Sequence, residues 1–172
     1  GSSGVQSIPV IAEQAASLHV FQRTANYVIP SHNRAMEADE VAEIKAHYPE
    51  LRARAKKSFS GNYFPVAGPS ALAISKEERD REYEARWAHG GLVFMAAYAD
   101  FQTSDAANET ASEFIRNKIR GIGDDPEIGE LLAPKQEFLC KRLCVGTDYY
   151  ETYNRDNVSL IDISERPIDR IT

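Results

Sequence analysis

The beginning of the chain shows a helical hydrophobic pattern followed by a strand-like one. Apolar residues recur at intervals of three and four, which is typical of an amphipathic helix: Val5, Ile8, Ile11, Ala12 and Ala15. Pro9 lies inside this pattern, so we expect the helix to start late or to bend there. The apolar, partly β-branched run LHVFQ at residues 18–22 predicts a short buried strand.

The middle of the chain, residues 35–135, predicts a block of helices. Its first apolar stripe at helical spacing consists of Val41, Ile44, Tyr48, Leu51 and Ala55. Pro49 lies within that stripe, so we expect a bent or divided helix. Farther along, Ser75 and Glu78 have the spacing of a capping box. The helix that they predict runs to about His89, where Gly90 and Gly91 stop it.

Three more helical stretches complete this block. The first spans about residues 92–101. The second ends at Gly121, and its apolar residues recur at helical spacing: Ala107, Ala111, Phe114, Ile115 and Ile119. The third is short, because Asp125 provides a cap, Pro126 suits the first turn, and the apolar pattern ends at Leu132.

The end of the chain returns to strand character. The segments RLCV (142–145) and VSLIDI (158–163) are predicted strands, and the turn-forming NRDN (154–157) separates them. The final PIDRIT, residues 167–172, is expected to be extended. Strands at both ends with helices between them indicate an α/β fold that is predominantly helical.

Composition and charge are those of an ordinary globular protein. The 172 residues are 42% hydrophobic and 27% charged, with a net charge of −6, and they suffice for one domain. The negative charge and the scattered basic residues argue against a nucleic-acid partner. No run approaches the roughly 18 apolar residues of a membrane span, and no signal peptide begins the chain. We therefore expect a cytoplasmic protein without a membrane partner.

The cysteines and histidines do not predict a metal site. The two cysteines, Cys140 and Cys144, flank Lys141 and Arg142, and the four histidines are scattered. We expect two buried, reduced thiols. If this segment is a strand, both cysteines share one face with Arg142, and Lys141 lies on the other.

The opening letters GSSG, residues 1–4, have two interpretations. They are the scar of an expression tag, or they are the last part of a glycine-rich phosphate loop, GxGxxG. In a dinucleotide-binding βαβ unit, the residue that contacts the ribose 2′ position follows about 20 residues after the loop. Arg23 and Thr24 occupy that place, and an arginine there pairs with the 2′-phosphate of NADP. This order favours the phosphate loop, although the residues alone leave both interpretations open.

Several segments together resemble one family, in the same order along essentially the whole chain: GSSGVQ, VFQRTANYVIP, WAHGG, EFIRNKIR, DPEIGELLAPK, KRL and DYYETYNRDNVSLID. They are similar to the Baeyer-Villiger monooxygenases, flavin-dependent enzymes typified by phenylacetone and cyclohexanone monooxygenases. The resemblance implies part of a Rossmann-like NADP-binding domain with a large helical insertion. Residues 1–34 correspond to the C-terminal part of the NADP-binding βαβ unit, 35–135 to the insertion, and 136–172 to the return to the NADP-binding domain.

The resemblance also implies the chemistry. In the family, NADPH reduces a bound FAD, dioxygen converts it to a peroxyflavin, and the peroxide turns a ketone into an ester or lactone. We expect this chain to be an internal fragment of such an oxidoreductase and to be inactive alone, because the FAD-binding loop and part of the substrate pocket are missing from it. The expected partners are a small-molecule ketone, dioxygen and the missing parts of the same protein.

The resemblance implies a set of cofactor-binding residues. The NADP pyrophosphate is expected at Gly1, Ser2, Ser3, Gly4, Val5 and Gln6, and the adenosine phosphate end at Arg23, Thr24 and Lys141. Arg142 is the implied catalytic residue, which lies against the flavin and nicotinamide and stabilises the negatively charged peroxyflavin. A guanidinium suits this role because it stays protonated at neutral pH and is a preorganised cation. From the residues alone, Lys141 and Arg142 are an ordinary solvated pair.

Two other functions remain open. A two-dinucleotide flavin monooxygenase that oxidises nitrogen or sulfur is expected to share the nucleotide loop and to lack the helical block. A non-enzymatic helical interaction module with a tag at its front is expected to have residues 1–4 disordered. The identity of the substrate lies beyond this sequence.

Overall fold

Short parallel strands lie near both ends of the chain, and helices occupy most of the part between them. The structure is a computed structural model that describes residues 1–58, 61–164 and 168–170. The α-helices are α1 (Ser2–Gln14), α2 (Ala38–Ala46), α3 (Tyr48–Lys56), α4 (Lys76–His89), α5 (Asp105–Ile122) and α6 (Pro126–Leu132). The strands are β1 (Leu18–Gln22), β2 (Val28–Pro30), β3 (Cys144–Gly146) and β4 (Val158–Asp162). Two 3₁₀-helices span Gly91–Ala96 and Glu151–Asn154.

The strands form two parallel pairs. Strand β1 pairs with β4, from Leu18 opposite Val158 to Gln22 opposite Asp162. Strand β2 pairs with β3, from Val28 opposite Cys144 to Pro30 opposite Gly146. Because parallel neighbours need a crossover connection, the chain leaves the sheet after β2, forms the helices α2 to α6, and returns at β3. The helical block is therefore inserted between two paired strands.

An aromatic cluster fills the core of the helical block and joins it to the strands. Tyr83 of α4 lies at its centre, and its ring centroid is between 5.3 and 6.2 Å from four others: Phe94, Tyr98, Phe101 and Phe114. Phe138 packs at 5.7 Å against Phe94 and at 5.4 Å against Tyr27, which precedes β2. Edge-to-face and tilted aromatic pairs stabilise a core beyond their buried area. This cluster consequently fixes the helical block against the β2–β3 pair.

Helix α1 differs from its prediction at its start. It begins at Ser2 and continues through Pro9, so the expected late start at the proline is wrong. At its other end, the side-chain amide of Asn157 donates to the carbonyl oxygens of Ala12 and Ala15, at 2.8 and 2.9 Å. The last carbonyl groups of a helix have no hydrogen-bond partner within the helix. Asn157, which lies just before β4, donates the hydrogen bonds that α1 itself does not supply there.

The predictions for the later helices are partly confirmed. Ser75 caps α4 by accepting from the Glu78 N–H at 3.2 Å, and Asp125 caps α6 by accepting from the Glu127 N–H at 2.8 Å. The first helix of the block is divided next to Pro49, as expected, but neither α2 nor α3 contains a buried residue. The stretch 92–101 is not an α-helix, because only a 3₁₀-helix forms there, followed by turns.

Gly121 does not end α5. The helix runs one residue farther to Ile122, and Gly123 follows as its cap. Gly90, by contrast, ends α4 as predicted, with a φ of 77° that favours glycine.

The strand predictions are also partly confirmed. LHVFQ is β1, although it is only partly buried, with Phe21 53% exposed. Strand β2 was not predicted. RLCV contributes only its last two residues to β3, and β4 ends at Asp162. Of PIDRIT, residues 167, 171 and 172 lie outside the described residues, and 168–170 form no regular element.

The cysteine prediction is half right. Cys144 is a buried free thiol in β3, whereas Cys140 is exposed and lies before that strand, so the two cysteines do not share a strand face. Over the described ranges, no helix has the length and apolar character needed to span a membrane.

Candidate functional site

One edge of the strands gathers most of the predicted site residues. Strand β1 ends at Gln22 and β2 begins at Val28, so Arg23 and Thr24 lie in the loop between these two strands. Cys144 starts β3 opposite Val28, and the hydroxyl oxygen of Ser2 lies 3.6 Å from its Sγ. The start of α1 and the start of β3 are therefore neighbours.

The segment GSSG is the first turn of α1, which corrects the expectation of a separate loop. Gly1 is the N-cap, and the first intrahelical hydrogen bond runs from the Val5 N–H to the Gly1 carbonyl oxygen at 3.1 Å. The amides of Ser2, Ser3 and Gly4 therefore have no acceptor within the helix. The first turn carries no acidic residue. Free amides and the partial positive charge of a helix N-terminus attract anions, phosphate above all.

The glycines of this turn leave open space around the helix N-terminus. A Cβ on Gly1 would meet no atom within 4 Å, and one on Gly4 would meet only the Cδ1 of Ile8, at 4.0 Å. Packing among the described residues thus does not require glycine at either position. Glycines at such a place permit the close approach of a ligand to the backbone.

A groove of about 480 Å³ joins this helix start to the predicted basic pair. Ser2, Gln6, Lys141 and Arg142 line this groove, and the remaining lining is mostly apolar: Leu92, Met95, Gln102, Leu139, Cys140, Leu143 and Val145. The described lining contains two cations and no carboxylate. In a chain with a net charge of −6, the charged side chains of this groove are all positive, a composition that suits an anionic ligand.

The backbone of Arg142 is held by a residue that the sequence analysis missed. The side-chain amide of Asn26 donates to the Arg142 carbonyl oxygen at 2.9 Å and lies 3.3 Å from the Cys144 Sγ. Cys144 at the start of β3 thus contacts both Asn26 in the β1–β2 loop and Ser2 at the start of α1. The contacts span more than a hundred residues of sequence, so no local motif could have revealed them.

Not every predicted residue faces this groove. Val5 is buried, its N–H is used within α1, and its Cγ1 is 2.6 Å from where a Cβ on Gly146 would lie. Arg23 and Thr24 are exposed and line a second, smaller groove of about 180 Å³. Lys141 lines the first groove, so the structure places it with Arg142, Ser2 and Gln6.

Comparison with known proteins covers the whole chain. No protein-family model matches it. A Baeyer-Villiger monooxygenase from Pseudooceanicola batsensis is 42% identical over 174 aligned residues, which are 100% of this chain and 32% of that protein. Phenazine N-monooxygenase PhzNO1 from Lysobacter antibioticus is 39% identical, again over 100% of this chain and 32% of that protein.

Solved structures give the same result. A steroid monooxygenase bound to NADP has 49% sequence identity and a TM-score of 0.92, over 98% of this chain and 32% of that one. OTEMO in complex with FAD and NADP has 35% identity and a TM-score of 0.96, over 100% of this chain and 33% of that one. This chain is homologous to a segment of the Baeyer-Villiger monooxygenases. It spans about a third of the length of these relatives.

The homology decides between interpretations that the residues left open. The Baeyer-Villiger monooxygenase from Pseudooceanicola batsensis aligns with all of this chain, including residues 1–4. In the structure, Ser2–Gly4 are helical. The tag interpretation, which expected these residues to be disordered, is therefore wrong. The phenazine N-monooxygenase also matches the helical block, so the expectation that a nitrogen-oxidising enzyme would lack this block is wrong as well.

Proposed function

We propose that this chain is the NADP-side portion of an NADPH- and FAD-dependent Baeyer-Villiger monooxygenase, which converts a ketone and dioxygen to an ester or lactone. Residues 1–34 and 136–172 would belong to the NADP-binding domain, and 35–135 to a helical insertion. We place the enzyme in the cytoplasm. The observation that carries the proposal is the groove in which the start of α1 meets Lys141 and Arg142.

The chemistry of this groove fits a dinucleotide pyrophosphate. Three free helix amides, two cations and the absence of carboxylates from the described lining all favour a dianionic group. Ser2 and Gln6 add a hydroxyl and an amide that donate hydrogen bonds to phosphate oxygens. Residues Gly1–Gln6 would hold the pyrophosphate mainly through the backbone of the first helical turn, while the buried Val5 side chain packs behind it.

Arg142 is the proposed catalytic residue. Its guanidinium is exposed in the groove, while its carbonyl oxygen is anchored by Asn26. A cation held in place before the reaction lowers the energy of developing negative charge without reorganising. When bound in the whole enzyme, FAD supplies the oxygen-transfer chemistry. The task of Arg142 is to present one fixed positive charge toward the cofactors beside the apolar wall of the groove.

A nitrogen-oxidising activity is the second candidate. The phenazine N-monooxygenase relative carries the same segment at 39% identity, so this third of the chain does not separate ketone from nitrogen oxidation. The proposed substrate class, a small ketone, rests on the larger number of ketone monooxygenase names among the relatives, such as cyclopentanone and cyclohexanone monooxygenases.

The proposal is tested by assaying the full-length enzyme with NADPH, ¹⁸O₂ and two substrate panels, cyclic ketones and aromatic N-heterocycles. We expect esters or lactones that contain one labelled oxygen, with one NADPH consumed per product. N-oxides without any ester would favour the second candidate. Oxidation of neither panel with no NADPH consumption would contradict both.

A further inference from the structure

A leucine with a left-handed backbone lies shortly before Arg142. The Cys140 N–H donates to the Glu137 carbonyl oxygen at 3.3 Å, which closes a turn with Phe138 and Leu139 at its centre. Leu139 has a φ of 68°, and the third position of a turn with positive φ is normally glycine or asparagine. A bulky residue keeps this conformation only where its surroundings enforce it, and such strain is concentrated at functional sites.

Two buried polar side chains of α5 hold the residue that precedes Leu139. The Phe138 N–H donates to the Asn108 Oδ1 at 2.9 Å and to the Ser112 hydroxyl oxygen at 3.1 Å. The Asn108 side-chain nitrogen donates to the carbonyl oxygens of Phe138 and Phe101, both at 2.8 Å. Asn108 is 5% exposed, and a fully paired buried network of this kind is rigid. Asn108 therefore clamps both backbone polar groups of Phe138.

The chain between this clamp and the site is short and is anchored at both ends. Phe138 is held by Asn108, and the Arg142 carbonyl oxygen is held by Asn26 at 2.9 Å. Leu139 and Arg142 both line the groove at the start of α1. With so few residues between two fixed points, the direction in which the arginine side chain leaves the backbone depends on the turn before it.

We propose that Asn108 is a positioning residue for the reaction. By enforcing the turn at Phe138 and Leu139, it directs the Arg142 guanidinium into the groove. This inference rests on the proposed function, in which that guanidinium is the fixed positive charge. It also gives the helical block a task in the reaction, because α5 belongs to that block and makes the clamp.

The product yield per NADPH in the full-length enzyme separates positioning from simple stability. The substrate is the cyclic ketone that the unsubstituted enzyme converts fastest, and hydrogen peroxide is measured beside the ester, because electrons of NADPH that make no ester reduce dioxygen to peroxide. We expect Asn108→Ala to lower ester formation about 10- to 100-fold, as for a catalytic group displaced by about 1 Å, and to release peroxide instead.

Tyr83→Phe is the matched control for this variant. It removes a fully buried hydroxyl that lies 2.7 Å from the Thr110 hydroxyl oxygen, on the same helix α5. We expect it to lower the stability of the helical block and to leave the ester yield per NADPH unchanged. Loss of folded enzyme lowers ester and peroxide in step, whereas a misdirected guanidinium shifts the ratio between them.

Leu139→Gly tests whether Asn108 acts through the turn. Glycine adopts a φ of 68° without strain, so this turn needs the clamp less. Asn108→Ala introduced into Leu139→Gly should therefore lower ester formation about threefold or less, and a double-mutant cycle measures the difference between the two backgrounds. Leu139→Gly alone is the reference, because Leu139 also lines the groove.

Leu139→Val serves if Asn108→Ala does not fold. A β-branched residue disfavours positive φ but keeps an apolar side chain, so the ester yield should fall there as well. An unchanged yield in Asn108→Ala or in Leu139→Val, or an equal effect of Asn108→Ala in both backgrounds, would overturn the positioning role. The proposed function survives each of these results, because the unsubstituted enzyme still makes ester. An unsubstituted enzyme that makes no ester from any ketone would contradict the proposed function, and the positioning role with it.

Discussion

The Asn26 side chain donates a hydrogen bond to the carbonyl oxygen of Arg142 at 2.9 Å, across 116 positions of sequence. The contact links the β1–β2 loop to the residue that we propose as catalytic. Because the same amide also lies 3.3 Å from the Cys144 Sγ, it fixes the backbone just before β3. The position of the Arg142 guanidinium therefore depends on a side chain from the other end of the chain.

Asn26→Ala should weaken both the fold and the reaction. A net hydrogen bond contributes about 0.5–1.5 kcal/mol, so we expect a stability loss of about 1–2 kcal/mol for the two contacts. Ester formation should fall, though less than in Arg142→Ala, since the guanidinium is still present. Urea denaturation and kcat measurements check this, with the exposed Asn62→Ala as the control. An Asn26→Ala variant indistinguishable from that control would show that the contact is unimportant.

Arg142→Ala should abolish most ester formation, whereas NADPH binding should weaken much less, because Lys141 and the free amides of α1 still face the pyrophosphate. Removal of one preorganised charge from a reacting centre typically lowers the rate by about 10²–10³. Steady-state ester production and the dissociation constant of NADPH are the two readouts, and Arg81→Ala, at an exposed position on α4, serves as the control. Near-normal oxygenation by Arg142→Ala would mean that this arginine is only a solvated charge.

The two consecutive glycines after α4 should differ in their tolerance of a side chain. Both have positive φ, 77° at Gly90 and 71° at Gly91, which costs an L-residue about 1–2 kcal/mol. A Cβ on Gly90 would also lie 2.6 Å from the Pro30 carbonyl oxygen and 2.7 Å from the His32 ring, whereas one on Gly91 meets nothing within 4 Å. Gly90→Ala should thus be less stable than Gly91→Ala by about 1–3 kcal/mol in denaturant unfolding. Equal losses would contradict the close approach of β2 to α4.

The start of α2 should be sensitive to acid. Hydrogen bonds from Arg34 and from the Glu37 N–H lower the pKa of Glu40 from 4.5 to about 2. The folded state binds a proton on the Glu40 carboxylate more weakly than the unfolded chain does. The ionised carboxylate therefore stabilises the fold fully above pH 4.5, and this stabilisation is lost as the pH falls through about 2. An NMR titration of the Glu40 carboxyl checks this, and Arg34→Ala should return its midpoint toward 4.5. A midpoint near 4.5 in the unsubstituted protein would show that the pair does not form.

The sequence correctly predicted those features of the fold that depend only on residues close together in the chain. The cap residues Ser75 and Asp125 and the stop at Gly90 act within a few residues, and each occurs as predicted. The run LHVFQ forms the predicted strand, although it is only partly buried. Strand β2 has only three residues, too few to show a period. The stripe on α2 and α3 has a helical period, yet Ile44, Tyr48 and Leu51 remain exposed, because a period does not specify what covers a face.

The sequence predicted which residues belong to the site, but it did not predict how those residues are placed relative to one another. Arg23, Thr24, Lys141 and Arg142 were named from position and family resemblance, but their division between two grooves depends on contacts such as Gln136 to Ala25 and Asn26 to Arg142. Each joins residues more than a hundred positions apart. Nor did the sequence reveal that GSSG is already helical, since glycine and serine favour loops in isolation.

The central claim, that this edge of the strands binds NADPH, is tested most directly at Arg23. The measurement is kcat/KM for flavin reduction by NADPH and by NADH in the full-length enzyme, with and without Arg23→Ala. A charge-assisted hydrogen bond contributes about 1.5–3 kcal/mol, so NADPH efficiency should fall by about 10- to 150-fold. NADH lacks that phosphate, so its efficiency should change little and the coenzyme preference should shrink by the same factor. An unchanged ratio of NADPH to NADH efficiency would contradict the nucleotide site.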